Sequence, residues 1–161
     1  MRARGIELKT AAQLRIMRRA GLVVAEAHRA VREAARPGVT TAEVDAAASD
    51  VLARHGAGSS FLHYGGGFGL PPYPAVTCIS VNDEVVHGIP GARTLVEGDL
   101  VSVDFGAIVD GWHGDAAITI EVGAVSDARR QLSEVTRESL WAGIAAAHLK
   151  GRVTDISAAI E

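Results

Sequence analysis

Hydrophobic and polar positions follow two periods along this chain, and the change from one to the other divides it. Leu14, Met17, Gly21, Val24, His28 and Val31 recur at alternating steps of three and four, which marks one face of a helix. Thr10-Ala-Ala-Gln13 supplies a capping box at its start, and Pro37-Gly38 stops it. A second capping box, Thr40-Thr-Ala-Glu43, opens a shorter helix lined by Val44, Ala47, Val51 and Leu52 that ends near Gly56. The period then drops to two. Residues 75–81 read as a strand and Asn82-Asp83-Glu84 as a polar turn. At His87 an apolar strand, Val85-Val86, meets Gly88 and Pro90. Residues 99–121 read as two strands joined at Asp110-Gly111, the dipeptide a type I′ hairpin turn favours because both central residues take positive φ. After a turn at 123–126, Asp127 caps a helix through about Leu149 and Gly151 ends it. Thr154 then caps a last apolar stripe, Ile156, Ala159 and Ile160, and the chain stops at Glu161 after barely two turns.

The hairpin carries the candidate chemistry. With Asp110 and Gly111 as a two-residue loop, Val109 faces Trp112, Asp104 lies opposite Ala117, and Asp115 lies opposite Gly106. Both carboxylates then point to one sheet face, on a diagonal of roughly 7–8 Å. An odd-length loop would send them to opposite faces. A charge on a half-buried strand is costly unless it is paired or binds a metal. Two aspartates so placed can hold a pair of divalent ions about 3.5–4 Å apart, and carboxylate donors suit Mn, Mg, Fe or Co. Edge charges that keep a hairpin soluble are the other reading the spacing allows. His113 shares the parity of Asp115 and can face the same site. It ranks below His87 because it adjoins the turn, where bulges are common. His28 reads as a packed or boundary histidine and not as a ligand.

Composition narrows the partners. The net charge is −3, and Arg15, Arg18 and Arg19 are interleaved with apolar residues on a helix, so no basic field for nucleic acid stands out. The single cysteine, Cys78, permits no internal disulfide and fits a reducing compartment. The N-terminal M-R-A-R-G-I-E-L-K has no apolar core of signal-peptide type. No run approaches the roughly 20 apolar residues of a membrane span. The expectation is a cytoplasmic protein with no membrane partner. Its 161 residues suffice for one domain with a real core. Residues 57–74 form a long loop. Its Gly65-Gly-Gly-Phe-Gly69 run is no phosphate loop, because Pro71-Pro72 replaces the helix whose N-terminus would hold the phosphate. A mobile loop shaping a site entrance is the reading adopted.

Three motifs in fixed order then resemble a family. They are Ile79-Ser-Val-Asn-Asp-Glu-Val-Val-His-Gly-Ile-Pro90, Glu97-Gly-Asp-Leu-Val-Ser-Val-Asp104 and Asp110-Gly-Trp-His-Gly-Asp115. Together they resemble the type I methionine aminopeptidases, over nearly the whole chain. The resemblance implies an α+β pita-bread (creatinase/aminopeptidase-like) fold, of which this chain would hold the first pseudo-symmetric half and the start of the second. It implies a single aminopeptidase domain over 1–161, incomplete at its C-terminus. By position, Asp104 and Asp115 resemble the first two metal-ligating carboxylates, the second bridging both metals. His87 resembles the histidine that contacts substrate and stabilises the transition state. Tyr73 and Cys78 resemble residues lining the pocket for the methionine side chain, and a polarisable thiol beside an aromatic ring suits a thioether.

The implied cofactor is a pair of divalent ions (Co, Mn, Fe or Zn). The implied reaction is removal of the N-terminal methionine from nascent proteins when the second residue is small, with transient contact to the ribosome. Two departures stand out. The family usually carries a histidine just before the Tyr-Pro of the entrance loop; here residues 65–72 lie there and His63 is displaced upstream. The family's remaining ligands, one histidine and two glutamates, belong with a second catalytic histidine to a half this chain does not contain. A proline-specific or creatinase-like member is the near alternative, and the compact His87-Gly-Ile-Pro90 followed closely by the hairpin argues against it. An inactive pita-bread binding module is the alternative from another class, and its mark would be loss of the aspartates.

Overall fold

The structure, a computed structural model, describes residues 7–161. Of the N-terminal segment expected to lack a signal-type core, residues 1–6 lie outside the described residues. Four strands and four α-helices are described, in two compact units between which the chain divides after Gly123. The first unit holds α1 (Ala11–Ala34), α2 (Thr41–His55), β1 (Gly58–Ser59), β2 (Thr77–Val81), β3 (Leu100–Val109) and β4 (Trp112–Glu121). The second holds α3 (Asp127–Ala146) and α4 (Val153–Ile160).

Both expected capping boxes form. Thr10 accepts from the Gln13 amide while the Gln13 side chain answers the Thr10 amide, and Thr40 and Glu43 do the same for α2. Gly56 ends α2 in the left-handed conformation, where a side chain would be strained.

β3 is the hub of the sheet. It pairs antiparallel with β4 along all ten residues, with β2 from Val101 to Phe105, and with β1 at Ala107 and Ile108. Since β4 occupies one edge of β3 throughout, β1 and β2 share the other. Val101, Val103, Phe105 and Ala107 are fully buried and face the helices with Ile118 and Ile120 of β4. The even-numbered β3 residues point to the opposite face. The core lies between that sheet and α1 and α2, with Val23, Val31, Val44 and Val51 as the helical contribution.

The buried face of α1 is rotated from the expected one. Ala20, Val23, Val24, Ala27 and Val31 are buried, whereas Leu14 and Gly21 lie at the surface. The reason is a close approach. A Cβ on Gly114 of β4 would sit 2.6 Å from the Gly21 nitrogen and 2.9 Å from the Ala20 oxygen. The bare Gly114 lets the strand come this close to the α1 backbone, and the buried face of the helix includes Ala20 at that contact and not Leu14. Residues 85–86 are not a strand either: Val85 and Val86 are exposed, and the backbone there turns.

In the second unit Ser126 caps α3 by accepting from the Arg129 amide, and Asp127 falls in the first turn, where its charge suits the helix dipole. α3 ends at Ala146, short of Leu149. α4 is capped two residues before the expected Thr154, because the Asp155 carboxylate takes the Arg152 amide at 2.7 Å and makes Arg152 the cap. The two helices meet where Gly143 leaves room for Ile160.

His28 stands at the edge of the α1 stripe, half-buried, as a boundary histidine. Its Nε2 is buried without a hydrogen-bond partner. Burial, with Arg32 nearby, lowers its pKa, against the opposing pull of the Ala116 backbone and the Asp115 charge. The unfolded chain therefore binds a proton at this residue before the folded one does. The neutral ring's contribution is present above the unfolded value of about 6.5 and is lost as pH falls through and below it. Urea midpoints at pH 7 and pH 5 are expected to lie closer together in His28→Leu than in the parent chain.

Candidate metal centre

The hairpin forms in the register its turn dictates. Asp110 and Gly111 take φ of 49° and 80°, and Val109 pairs with Trp112, Gly106 with Asp115, and Asp104 with Ala117. No bulge intervenes near the turn, so His113 pairs with Ile108 and keeps the parity of Asp115. On the other side of β3, Cys78 pairs with Asp104. Across one level of the sheet the order is therefore Cys78, Asp104, Ala117, with Asp115 one level further along.

Cys78, Asp104 and Asp115 line one cavity of about 540 Å³, together with Ser60, Phe61, Tyr64, Tyr73, His87 and His113. All five residues singled out by the motifs, Asp104, Asp115, His87, Tyr73 and Cys78, come together there. His113, ranked lower, does as well. Ser60, Phe61 and Tyr64 were missed. Their only signal in sequence was two aromatic residues at the start of a glycine-rich loop.

Each side chain is placed by an identifiable device. His87 adopts φ 57°, and Gly88 after it is pinned to β2. The Gly88 oxygen accepts from the Ile79 amide at 2.8 Å and from the Tyr73 hydroxyl at 2.9 Å, and the Gly88 amide donates to Ser80 Oγ at 3.2 Å. Tyr73 shares its hydroxyl proton between that oxygen and the Thr77 carbonyl at 3.0 Å, which fixes the ring against the β2 edge. Burial and the Cys78 thiol push the Tyr73 phenol far above its ordinary range, so it stays protonated and keeps its proton to donate. Burial, against the Tyr73 hydroxyl and with the charges of Asp104, Asp115 and Asp45 adding to it, also raises Cys78, so the thiol stays protonated. Asp45, unnoticed in sequence, starts β2: its Oδ1 accepts from the Val76 amide, the Thr77 amide and Thr77 Oγ1 at 3.1, 2.8 and 2.6 Å.

The electrostatics of the cavity ask for a cation. Burial raises Asp104 above the usual carboxylate range, and the Asp115 charge raises it further, against the Phe105 amide and His87. Among the described residues no lysine or arginine lines the cavity to neutralise the pair. Two oxygen donors with unmet negative charge fit a divalent ion in type. They fit it as part of a coordination sphere, since among the described residues no three His, Cys, Asp or Glu side chains converge on one point. A second cavity over α1 carries no comparable demand: its Glu26 is bonded to Arg54 and His55, and its Arg19 to Asp110.

The entrance loop is closed at its base. The His63 amide donates to the Tyr73 oxygen at 2.8 Å and the Tyr73 amide to the Tyr64 oxygen at 2.9 Å. Residues 65–72 are thereby an excursion between Tyr64 and Tyr73, with a short 3₁₀ turn at Gly66–Phe68.

Against known proteins, the profile of metallopeptidase family M24 matches residues 15–161. Methionine aminopeptidase 1 of Mycobacterium tuberculosis is 54% identical over 159 residues, covering 98% of this chain and 58% of that protein. The crystal structure of methionine aminopeptidase from Thermotoga maritima superposes with a TM-score of 0.87 at 38% identity, covering 96% of this chain and 60% of that one. A variant of Escherichia coli aminopeptidase P superposes at 0.78 with 22% identity, over 94% of this chain and 32% of that one, which shows the shared fold alone. The chain spans a little under two thirds of the length of the methionine aminopeptidases it matches.

Proposed function

The chain belongs to metallopeptidase family M24 and has its pita-bread fold, and from that premise we propose that its cavity is the first part of a methionine aminopeptidase active site. The observation that carries this reading is the pair Asp104 and Asp115, both retained, on one sheet face of a cavity that, among the described residues, no lysine or arginine lines. The same retention argues against the inactive binding module.

In this reading Asp104 and Asp115 would hold two divalent ions, of identity among Co, Mn, Fe and Zn, as part of their ligand set. When bound, such ions supply an activated water and polarise the scissile carbonyl. The chain's own residues do the rest. Tyr73, Cys78, Phe61 and Tyr64 form the half-apolar wall that would grip the methionine side chain. Cys78 lies one strand away from Asp104, which would set the grip beside the carboxylates. His87, held in place by Gly88, would hydrogen-bond the substrate amide next to the bond that breaks. The proposed substrate is the N-terminal methionine of nascent peptides with a small second residue, met in the cytoplasm with the ribosome as a transient partner. A single buried thiol fits that compartment. Among the described residues no helix is long and apolar enough to cross a membrane. Residues 1–161 are proposed to be one incomplete domain of the complete enzyme.

The test is hydrolysis of Met-Ala-Ser in Mn²⁺ or Co²⁺, by this chain alone and with the C-terminal two fifths of a methionine aminopeptidase supplied in trans. Methionine release that depends on metal and disappears in Asp115→Ala is expected with the second part present. Release that survives Asp115→Ala would remove the carboxylate pair from the mechanism.

A further inference from the structure

The reading above leaves His113 without a task, although it lines the cavity. Its ring reaches a segment 53 positions earlier in the chain, where Nδ1 lies 2.9 Å from Ser60 Oγ. Ser60 is also tied through its backbone, its amide donating to the Gly106 oxygen at 3.0 Å. Gly106 has to be glycine here. A Cβ on it would stand 2.7 Å from Ser60 Cβ and 2.9 Å from Asp115 Oδ2. Ser60, Asp115 and His113 therefore gather over one bare patch of β3. Directly after Ser60 come Phe61 and Leu62, whose amides both donate to Ser59 Oγ at 3.1 Å, and then Tyr64. Phe61 and Tyr64 are the aromatic wall of the cavity.

We propose that His113 is a positioning residue that fastens this aromatic wall, through Ser60, to the strand that presents Asp115. The Ser60–Gly106 backbone bond sets the wall beside β3. The His113–Ser60 bond ties it to β4, two residues from the carboxylate and on the same face. A wall tied to both strands keeps a fixed distance from both aspartates. That distance decides which bond of a gripped peptide lies over the carboxylates, a consequence that rests on the aminopeptidase reading; the latch itself does not. His113 is solvent-exposed and off the core, so its replacement leaves the fold intact.

Amide hydrogen exchange of the full chain, read by NMR, tests the latch without metal or substrate. In His113→Ala and in Ser60→Ala, the Phe61 and Leu62 amides are expected to exchange about tenfold faster, the equivalent of one net hydrogen bond. The double variant should be no faster than either single one, because both remove the same contact. His113→Asn, whose side-chain amide stands where Nδ1 stood, should return the parent rate. The Ile79 amide, in the buried β2 strand, should not change in any of them. Parent-like exchange in His113→Ala, or single effects that add in the double variant, would overturn the proposal. Metal binding that survives loss of Asp115 would instead sink the aminopeptidase reading and leave the latch standing.

Discussion

Titrated with Mn²⁺, an Asp115→Asn chain is expected to lose detectable metal binding while keeping its fold. The substitution is nearly isosteric, and the residue it replaces is exposed and lies over the bare Gly106. Little stability is therefore at stake. The site, in contrast, loses one of the two carboxylates that line it among the described residues, and its attraction for a cation comes from that pair of charges. Loss of a hydrogen-bond partner behind a ligand already costs about 10–100-fold in metal affinity, and loss of a ligand costs more. Paramagnetic broadening by Mn²⁺ of the Asp104 and Asp115 amides measures this directly. Asp104 gives an internal check. Relieved of its neighbour's charge, its carboxyl should titrate lower in Asp115→Asn than in the parent chain. Broadening that persists in the variant would place the ion elsewhere.

Gly88→Ala is the second large effect expected, and it acts through backbone alone. A Cβ at Gly88 would lie 2.1 Å from the Ile79 oxygen, 2.8 Å from the Ile79 carbonyl carbon and 3.1 Å from the Ser80 Cα. All three atoms belong to the backbone of β2, a strand with no exposed residue, so they have nowhere to move. The loop must lift instead. Lifting breaks the Ile79–Gly88, Tyr73–Gly88 and Gly88–Ser80 hydrogen bonds, together worth about 3 kcal/mol at a net contribution near 1 kcal/mol each. It also frees His87, whose left-handed backbone directly precedes the docked Gly88, and loosens Tyr73. The variant should show a lower denaturation midpoint and a mobile His87 ring by NMR. Gly67→Ala is the control. A Cβ there meets nothing within 4 Å, and the midpoint should stay at the parent value. Equal midpoints for the two alanine variants would mean that the loop does not need its bonds to β2.

The exposed second unit shows why the helices were easier to recognise than to delimit. Leu132, Val135, Leu140, Trp141 and Ile144 of α3 are all solvent-exposed. An apolar stripe was visible there, but nothing in that unit covers it, so the stripe could not locate the ends of the helix. Local hydrogen bonds did, through Ser126 and Asp155. Caps are short-range and present in sequence, yet choosing between Ser126 and Asp127, or between Arg152 and Thr154, turns on backbone angles that only the folded chain displays.

What the sequence determined by itself is what depends on neighbours a few residues apart. The two capping boxes, the left-handed stop at Gly56 and the Asp110-Gly111 turn are local, and all formed as expected. The turn then carried its information ten residues outward. A two-residue loop admits one register, and register puts Asp104 and Asp115 on the same face, so the core of the candidate site was legible before any fold was known. The order of three motifs, with their likeness to known aminopeptidases, supplied the family. Tertiary structure decided the rest, because the rest depends on contacts between distant segments. The buried face of α1 goes with the close approach of Gly114 to the backbone at Ala20 and Gly21. The placement of His87 followed from Gly88 docking on Ile79, where sequence suggested a strand. Ser60, Phe61 and Tyr64 joined the cavity because Ser60 is bonded to Gly106 and His113, 46 and 53 positions away in the chain. No periodicity reaches across such a gap; only packing and hydrogen bonds in the folded chain do.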